Sequence, residues 1–362
     1  MVRDIAIIGD HFILPEMFEK ELRKVCPHEG LNCRLRLEDW PNSPVNHGYS
    51  GDPDILIKEF IGDFDEVTAF IGNAEVLIMH QSPVTDSMLH SLPNLRFIAC
   101  SRGGPVNVDV EAANRRGVKV VRAPGRNASA VAEFTIGAIL AETRKIRIGH
   151  ETMRKGVWRG DLYRADTTGR ELNEMTVGVI GYGKIGTRLV KILRAFGCRI
   201  LVSDPYVQLD ISDLEAGVEQ ICLDSLLEQS DVVTLHPRVT EETTQMINKE
   251  TLSKMKSDAL LVNTARGPLC NYDDLYEALV NGTIGSAMLE TFAIEPTPPD
   301  WPLLQLENVT LTPHIAGASV RTAQYAAQVL AEDVKNYITG APLNNLCVAY
   351  LDVRQRPQTC TS

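Results

Sequence analysis

The 362-residue sequence predicts an α/β protein of two parallel-sheet domains, one inserted into the other. Three observations predict it. Short apolar runs alternate with helix-patterned segments through two separate blocks, as in sheets covered on both faces. The length suits two domains at roughly 150 residues each. One amphipathic helix is left over after the strands of the second block end, so it is expected to return to the first. Residues 1–124 with 316–362 are therefore expected to form one domain and 125–315 the other.

The first block opens with an apolar run, Asp4 to Ile8, closed by the turn pair Gly9-Asp10. Helical periodicity covers Leu14 to Val25, and strand-like alternation covers Asn32 to Leu37. Trp40 to Pro53 is rich in Pro, Asn, Ser and Gly and reads as a long loop. Strands are then expected at Glu75 to Met79, Arg96 to Cys100 and Val118 to Val121. Helices are expected at Thr85 to Leu92 and Asp109 to Arg116.

Arg126 to Lys155 reads as one long helix ending at Gly156. The second block predicts strands at Thr176 to Ile180, Arg199 to Ser203, Val232 to Leu235, Leu260 to Asn263, Ser286 to Leu289 and Val309 to Leu311. Helices are expected at Ile185 to Phe196 and Tyr272 to Val280. The left-over helix is Ser319 to Thr339, with Ala323, Ala326, Ala327, Leu330 and Val334 on one face. The polar end, Val353 to Ser362, is expected to fray.

Composition narrows the function. Hydrophobic residues make up 44% and charged residues 23%, ordinary for a globular chain. The net charge of −11 disfavours nucleic acid and anionic lipid as partners. No run approaches the ~20 apolar residues of a membrane span. The N-terminus has no signal-peptide pattern, so the expected location is the cytoplasm. Eight cysteines form no C-x-x-C pair and no zinc spacing, so they read as free core thiols and no metal site is expected.

Gly181-Tyr182-Gly183-Lys184-Ile185-Gly186 is a G-x-G-x-x-G placed between a strand and a helix. Asp204 ends the next strand, 18 residues beyond Gly186. This is the dinucleotide fingerprint of a Rossmann-like domain. Gly181 permits the turn, Gly183 lets backbone approach the pyrophosphate, and Gly186 lets helix pack on strand. Asp204 accepts from the ribose hydroxyls and repels a 2′-phosphate, which favours NAD over NADP.

Three later segments follow strands: Asn263-Thr264-Ala265-Arg266-Gly267, Glu290 to Pro296, and Thr312-Pro313-His314-Ile315-Ala316-Gly317. Ligands of open α/β sheets bind beyond the carboxyl ends of strands, where an Arg, a Glu and a His can converge. In this order and spacing the sequence resembles the D-isomer-specific 2-hydroxyacid dehydrogenases, which include phosphoglycerate, glycerate and D-lactate dehydrogenases. The resemblance covers nearly the whole chain and is strongest from Asn127 to Gly317.

The resemblance implies a nucleotide domain inserted into a flavodoxin-like substrate domain. It implies Arg266 as the substrate-binding arginine, Glu295 as the acidic partner and His314 as the acid/base. For the cofactor it implies Gly181, Gly183, Lys184, Ile185, Gly186, Asp204, His236, Thr264, Ala265, Arg266, Glu290 and Gly317. The glycine-containing segment Ser101-Arg102-Gly103-Gly104-Pro105 matches the family's substrate loop, so Arg102, Gly103 and Gly104 are expected to bind substrate. His80 and Gln81, after another strand of that block, join Arg266 and His314 in that set.

The chemistry needs these residue types. Oxidation of a 2-hydroxy acid removes a hydride from C2 and a proton from the hydroxyl, and histidine suits the proton. A carboxylate fixes the imidazole tautomer, and a guanidinium grips the substrate as a fork. Two positions depart from the family pattern: Glu290 stands where an Asp is usual, and Arg238 where a Pro is usual. The polar residues of the first block predict a polar substrate, a sugar acid or a phosphorylated hydroxy acid. A homodimer through the 126–155 region is the expected assembly. The second reading is a NAD-sensing, corepressor-like binding protein without a dehydrogenase role.

Overall fold

A computed structural model describes residues 3–40 and 56–347. Beyond Trp40, the expected loop to Pro53 lies outside the described residues, as do Cys360 and the tail Val353 to Ser362.

Along the chain run β1 (Arg3–Asp10), α1 (Pro15–Val25), β2 (Leu31–Glu38), α2 (Phe64–Ile71), β3 (Val76–Met79), α3 (Asp86–His90), β4 (Phe97–Cys100), α4 (Val110–Arg115) and β5 (Lys119–Arg122). Then come α5 (Ala128–Thr143), α6 (Ile146–Arg154), β6 (Thr176–Ile180), α7 (Gly186–Arg194), β7 (Arg199–Ser203), α8 (Ile211–Leu214), β8 (Glu219–Gln220) and α9 (Leu223–Gln229). The series continues with β9 (Val232–Leu235), α10 (Lys249–Ser253), β10 (Leu260–Asn263), α11 (Tyr272–Val280), β11 (Ser286–Leu289) and β12 (Val309–Leu311), and closes with α12 (Val320–Thr339) and β13 (Leu346–Cys347).

These elements divide into two compact units. Unit 1 takes the chain up to Asn127 and again from Ala318, and unit 2 is Ala128–Gly317.

Unit 1 carries a six-stranded sheet in the order β13-β5-β4-β3-β1-β2. Its pairs are parallel except β13 on β5. All residues of β3 and β4 are buried, as their continuous apolar runs require. The helix α12 buries Ala323, Ala326, Ala327, Leu330 and Val334 in the same core as Phe18 and Leu22 of α1. Ser319 caps its start by accepting from Thr322 N, and Gly340 closes it at a φ of 73°. The helix α2 was not anticipated. Asp63 caps it through Asp65 N and Glu66 N, and it buries only Val67 and Ile71.

Unit 2 carries a seven-stranded parallel sheet in the order β12-β11-β10-β9-β6-β7-β8. Hydrophobic layers on its two faces are anchored by Leu235, Leu261 and Leu289 on one side and by Val177, Val202 and Val262 on the other.

One expectation is corrected. Residues 126–155 form two helices, α5 and α6, with Lys145 between them at a φ of 58°. The cause lies outside the segment. A Cβ on Gly169 would sit 1.9 Å from the Thr143 carbonyl oxygen, so passing backbone packs directly on the end of α5. Arg147 then ties the break together, donating to Glu142 of α5 at 2.8 Å and to Glu151 of α6 at 3.2 Å. Among the described residues no helix is long and apolar enough to cross a membrane.

Candidate active site

In unit 2 the strand order reverses between β6 and β9. The first, third and sixth positions of the glycine fingerprint follow β6 at this switch point, where open α/β sheets take ligands. Gly181 has a φ of 92°, and a Cβ there would lie 2.9 Å from the His236 carbonyl carbon after β9. A Cβ on Gly186 would strike the Gly181 carbonyl oxygen at 2.1 Å. Around Gly183, by contrast, a Cβ would meet nothing within 4 Å. Two glycines close the turn and the middle one faces open space, which fits a loop built for close approach of a phosphate to backbone N–H groups.

Asp204 directly follows β7, beside this loop. Its carboxylate accepts from Tyr182 N at 2.7 Å and from Tyr206 N and Val207 N at 2.8 and 3.0 Å. The carboxylate is thus fixed in orientation next to the fingerprint. Sequence reasoning missed the anchor beneath it. The Tyr182 hydroxyl donates to the fully buried Asp213, which also accepts from Arg194 at 2.7 Å. Burial and the Asp213 carboxylate push the tyrosine pKa up to about 12, so it remains a donor.

His236 accepts or donates at Nε2 with Thr234 at 3.0 Å, while its Nδ1 is shut from solvent with no partner among the described residues. Burial pulls its pKa down to about 3, so the ring is neutral. Arg238, the departure after it, is exposed.

The second cluster follows β10, β11 and β12. Thr264 shares a hydroxyl hydrogen bond with Thr135 at 2.9 Å, and Ala265 N donates to Asn263 at 3.1 Å. Arg266 is exposed, with Nη1 on the Ala265 carbonyl at 2.7 Å. Gly267 explains its placement. A Cβ there would overlap Phe292 backbone at 1.9 Å, so the arginine turn lies directly against the segment that carries Glu290 and Glu295.

Glu295 accepts from Phe292 N at 2.6 Å through one oxygen and faces His314 Nδ1 at 2.7 Å through the other. A carboxylate only accepts, so Nδ1 carries the proton and the tautomer is set. His314 has a φ of 54°, a left-handed conformation that costs a non-glycine residue about 1 kcal/mol or more. Its backbone N donates to the Glu290 carbonyl at 3.0 Å, which holds the turn. Its side chain is 25% exposed while that of Glu295 is 9%, so the pair presents the imidazole outward from a buried carboxylate. Glu290 itself is buried and accepts from Ala316 N at 2.8 Å, beside Gly317. Burial pushes its pKa up to about 7.

In unit 1, His80 and Gln81 follow β3, and Arg102, Gly103 and Gly104 follow β4. Arg102 is not an unneutralised cation. It is ion-paired with the Glu59 side chain and donates to the Glu59 carbonyl at 2.9 Å. His80 is 2% exposed, with Nδ1 on Asp10 at 2.5 Å and Nε2 on Arg126 at 3.0 Å. Arg126 escaped the sequence reading because it sits in a turn before α5, distant in sequence from both partners.

Residues 136–316 match the family profile described as "D-isomer specific 2-hydroxyacid dehydrogenase, NAD binding domain". The chain is 38% identical over 265 residues to a glyoxylate reductase of Thermofilum pendens, covering 73% of this chain and 78% of that one. It is also 38% identical to a D-3-phosphoglycerate dehydrogenase of Archaeoglobus fulgidus, over 75% of this chain but only 50% of the relative. A solved structure of the D-lactate dehydrogenase of Escherichia coli superimposes with a TM-score of 0.73 at 28% identity, covering 95% of this chain and all of that one. The chain belongs to the D-isomer-specific 2-hydroxyacid dehydrogenases, a family of NAD-dependent oxidoreductases.

Proposed function

We propose that this protein interconverts a polar D-2-hydroxy acid and its 2-keto acid, with NAD rather than NADP as its cofactor. The observation that carries the reading is the His314–Glu295 pair at 2.7 Å, which follows β11 and β12 at the sheet edge where Arg266 follows β10. The bound nicotinamide supplies the hydride acceptor or donor. In oxidation His314 Nε2 takes the hydroxyl proton, and in reduction it returns that proton to the keto oxygen. Glu295 keeps Nδ1 protonated and offsets the positive charge as the ring becomes imidazolium. Arg266 holds the substrate carboxylate and the reacting oxygen in one plane. Gly103 and Gly104 offer backbone N–H groups, with Gln81 and Arg102 beside them.

For the cofactor, Gly181, Gly183, Lys184, Ile185 and Gly186 would hold the pyrophosphate and Asp204 the adenosine ribose. His236, Thr264, Ala265, Glu290 and Gly317 would line the remainder. The fixed Asp204 carboxylate supports NAD, because a 2′-phosphate would face it directly.

The test is to follow NADH and NADPH oxidation with glyoxylate, pyruvate, hydroxypyruvate, phosphohydroxypyruvate, 2-ketoglutarate, keto sugar acids and 2-ketoisocaproate. Turnover with polar acids and tighter binding of NADH are expected. Preference for 2-ketoisocaproate, or for NADPH, would overturn those parts. NADH binding with no turnover would leave a cofactor-sensing protein.

We also propose a homodimer through α6. That helix buries none of its residues, and Ile146 and Met153 are exposed, as are Trp158 (81%) and Tyr163 (95%) shortly after it. Light scattering should give twice the 40.0 kDa chain mass. A cytoplasmic location suits the buried free thiols Cys26, Cys100, Cys198 and Cys270.

A further inference from the structure

In unit 2 the segment that follows Asp204 is held by side chains. Residues 204–209 lie between β7 and α8 and belong to neither. Gln220, in the two-residue edge strand β8, reaches back across them. Its Nε2 donates to the Asp204 and Val207 carbonyls, both at 2.9 Å, and its Oε1 accepts from Leu209 N at 3.2 Å. One amide thus clasps three points of the segment and spends both of its donors there. Gln220 is exposed, so this clasp is no part of the hydrophobic core.

Tyr182 holds the same segment from the buried side. It is 2% exposed, and its hydroxyl accepts from Asp210 N at 3.4 Å while donating to Asp213. Arg194 in turn keeps Asp213 in place. The Tyr182 backbone N is also the donor on Asp204 Oδ2 at 2.7 Å. One residue of the fingerprint therefore grips the acid with its backbone and the far end of the segment with its side chain.

These tethers decide what Asp204 can do. A carboxylate offers about four acceptor positions. Oδ1 spends two on Tyr206 N and Val207 N, and Oδ2 spends one on Tyr182 N. One position on Oδ2 is left for a ribose hydroxyl. Turning the carboxylate away from a 2′-phosphate would break three hydrogen bonds, and Gln220 and Tyr182 hold the backbone that carries the donors. A carboxylate free to turn admits a second anion at little cost. One held in place meets it with the repulsion of two like charges at contact.

We propose that Gln220 and Tyr182 are specificity-determining positioning residues: they make Asp204 reject the 2′-phosphate of NADP by denying its carboxylate any other orientation. This rests on the NAD reading above and deepens it. Cofactor choice then belongs to the clasp as well as to the acid.

The experiment is fluorescence titration of the full chain with NADH and with NADPH at fixed pH and ionic strength. Wild type, Gln220→Met, Tyr182→Phe, the double variant and Asp204→Ala are compared, and thermal melting verifies that each is folded. The readout is the ratio of the NADPH Kd to the NADH Kd, which needs no turnover. Gln220→Met keeps the length of the side chain and loses its hydrogen bonds. It should lower the ratio about tenfold, with NADH weakened and NADPH strengthened. Tyr182→Phe keeps the ring and should lower the ratio less, and the double variant should fall below either. Asp204→Ala, which removes the charge itself, should give the lowest ratio. A merely structural clasp would weaken both cofactors alike and leave the ratio where it was. A ratio unchanged in Gln220→Met, Tyr182→Phe and the double variant, while Asp204→Ala collapses it, would overturn the proposal and leave the NAD reading standing. A wild type that binds NADPH as tightly as NADH would overturn that reading and the proposal with it.

Discussion

The two units each place a histidine–carboxylate pair at the carboxyl edge of a parallel sheet, and the two pairs are built for different work. In unit 1, His80 and Asp10 are 2% and 1% exposed, and the second imidazole nitrogen is committed to Arg126. Protonating that nitrogen would set two donors face to face, so the ring is locked neutral. In unit 2, the His314 and Glu295 side chains are 25% and 9% exposed, and the histidine is held in a left-handed turn that turns it outward. Pairing with a carboxylate therefore does not by itself decide whether an imidazole reaches the surface. What separates the two is the exposure of the imidazole.

Altering the histidine or the carboxylate of the unit 2 pair should sharpen this contrast. His314→Ala is expected to cost about 10³-fold in kcat, within the usual range for a positioned acid/base, while NADH binding persists. Glu295→Gln should lower kcat by less, because Phe292 N still finds an oxygen to donate to while the charge facing the imidazole is lost. Kinetics and fluorescence titration on the two variants measure this. If His314→Ala turned over normally, the division of labour drawn here would collapse.

Much of this was legible from the residues. The strands β3, β4, β9 and β10 are fully buried, and their apolar runs betray them without any periodicity. Arg266, Glu295 and His314 each follow a strand in an ordered set, so position along the chain reported position in space. The break at Lys145 was not legible, because it is imposed by the backbone of Gly169, far along the chain. Short elements such as α2, α8 and α9 expose too few buried positions to show a period. Asp10, His80 and Arg126 could not be joined from sequence either: the first pair is 70 residues apart and the second 46. Only the sheet order brings them to one edge.

The next largest effect concerns acid stability. Burial and Arg126 draw the pKa of His80 from 6.5 to about 4. The folded state thus resists a proton that the unfolded chain accepts. The stability tied to the neutral ring is complete above pH 6.5 and is lost as pH falls toward 4, up to about 3 kcal/mol. Asp10, whose pKa is lowered by the His80 hydrogen bond against burial, acts in the same direction at still lower pH. Amide hydrogen exchange in β1 and β3 should therefore speed up between pH 6.5 and 4.5 beyond its intrinsic pH dependence. His80→Gln should remove much of that response. Equal protection at both pH values in the wild type would contradict the locked neutral ring.

Unit 2 should answer with the opposite sign and a smaller amplitude. Burial raises the pKa of Glu290 from 4.5 to about 7, against the hydrogen bond from Ala316 N and the attraction of His314. A carboxyl raised in this way favours folding fully below pH 4.5, and that contribution is lost as pH climbs through 7. At pH 8 the chain thus carries a buried charge that it would fold better without. Glu290→Gln keeps an oxygen for Ala316 N and removes the charge. The variant should gain about 2.5 kcal/mol at pH 8 relative to its gain at pH 5, because the amide's own desolvation cost is the same at both pH values and cancels. Exchange in β11 and around Ala316 reads the effect. If Glu290→Gln left protection at pH 8 unchanged, the buried charge would have to be compensated in the native state, and the opposition between the two units would vanish.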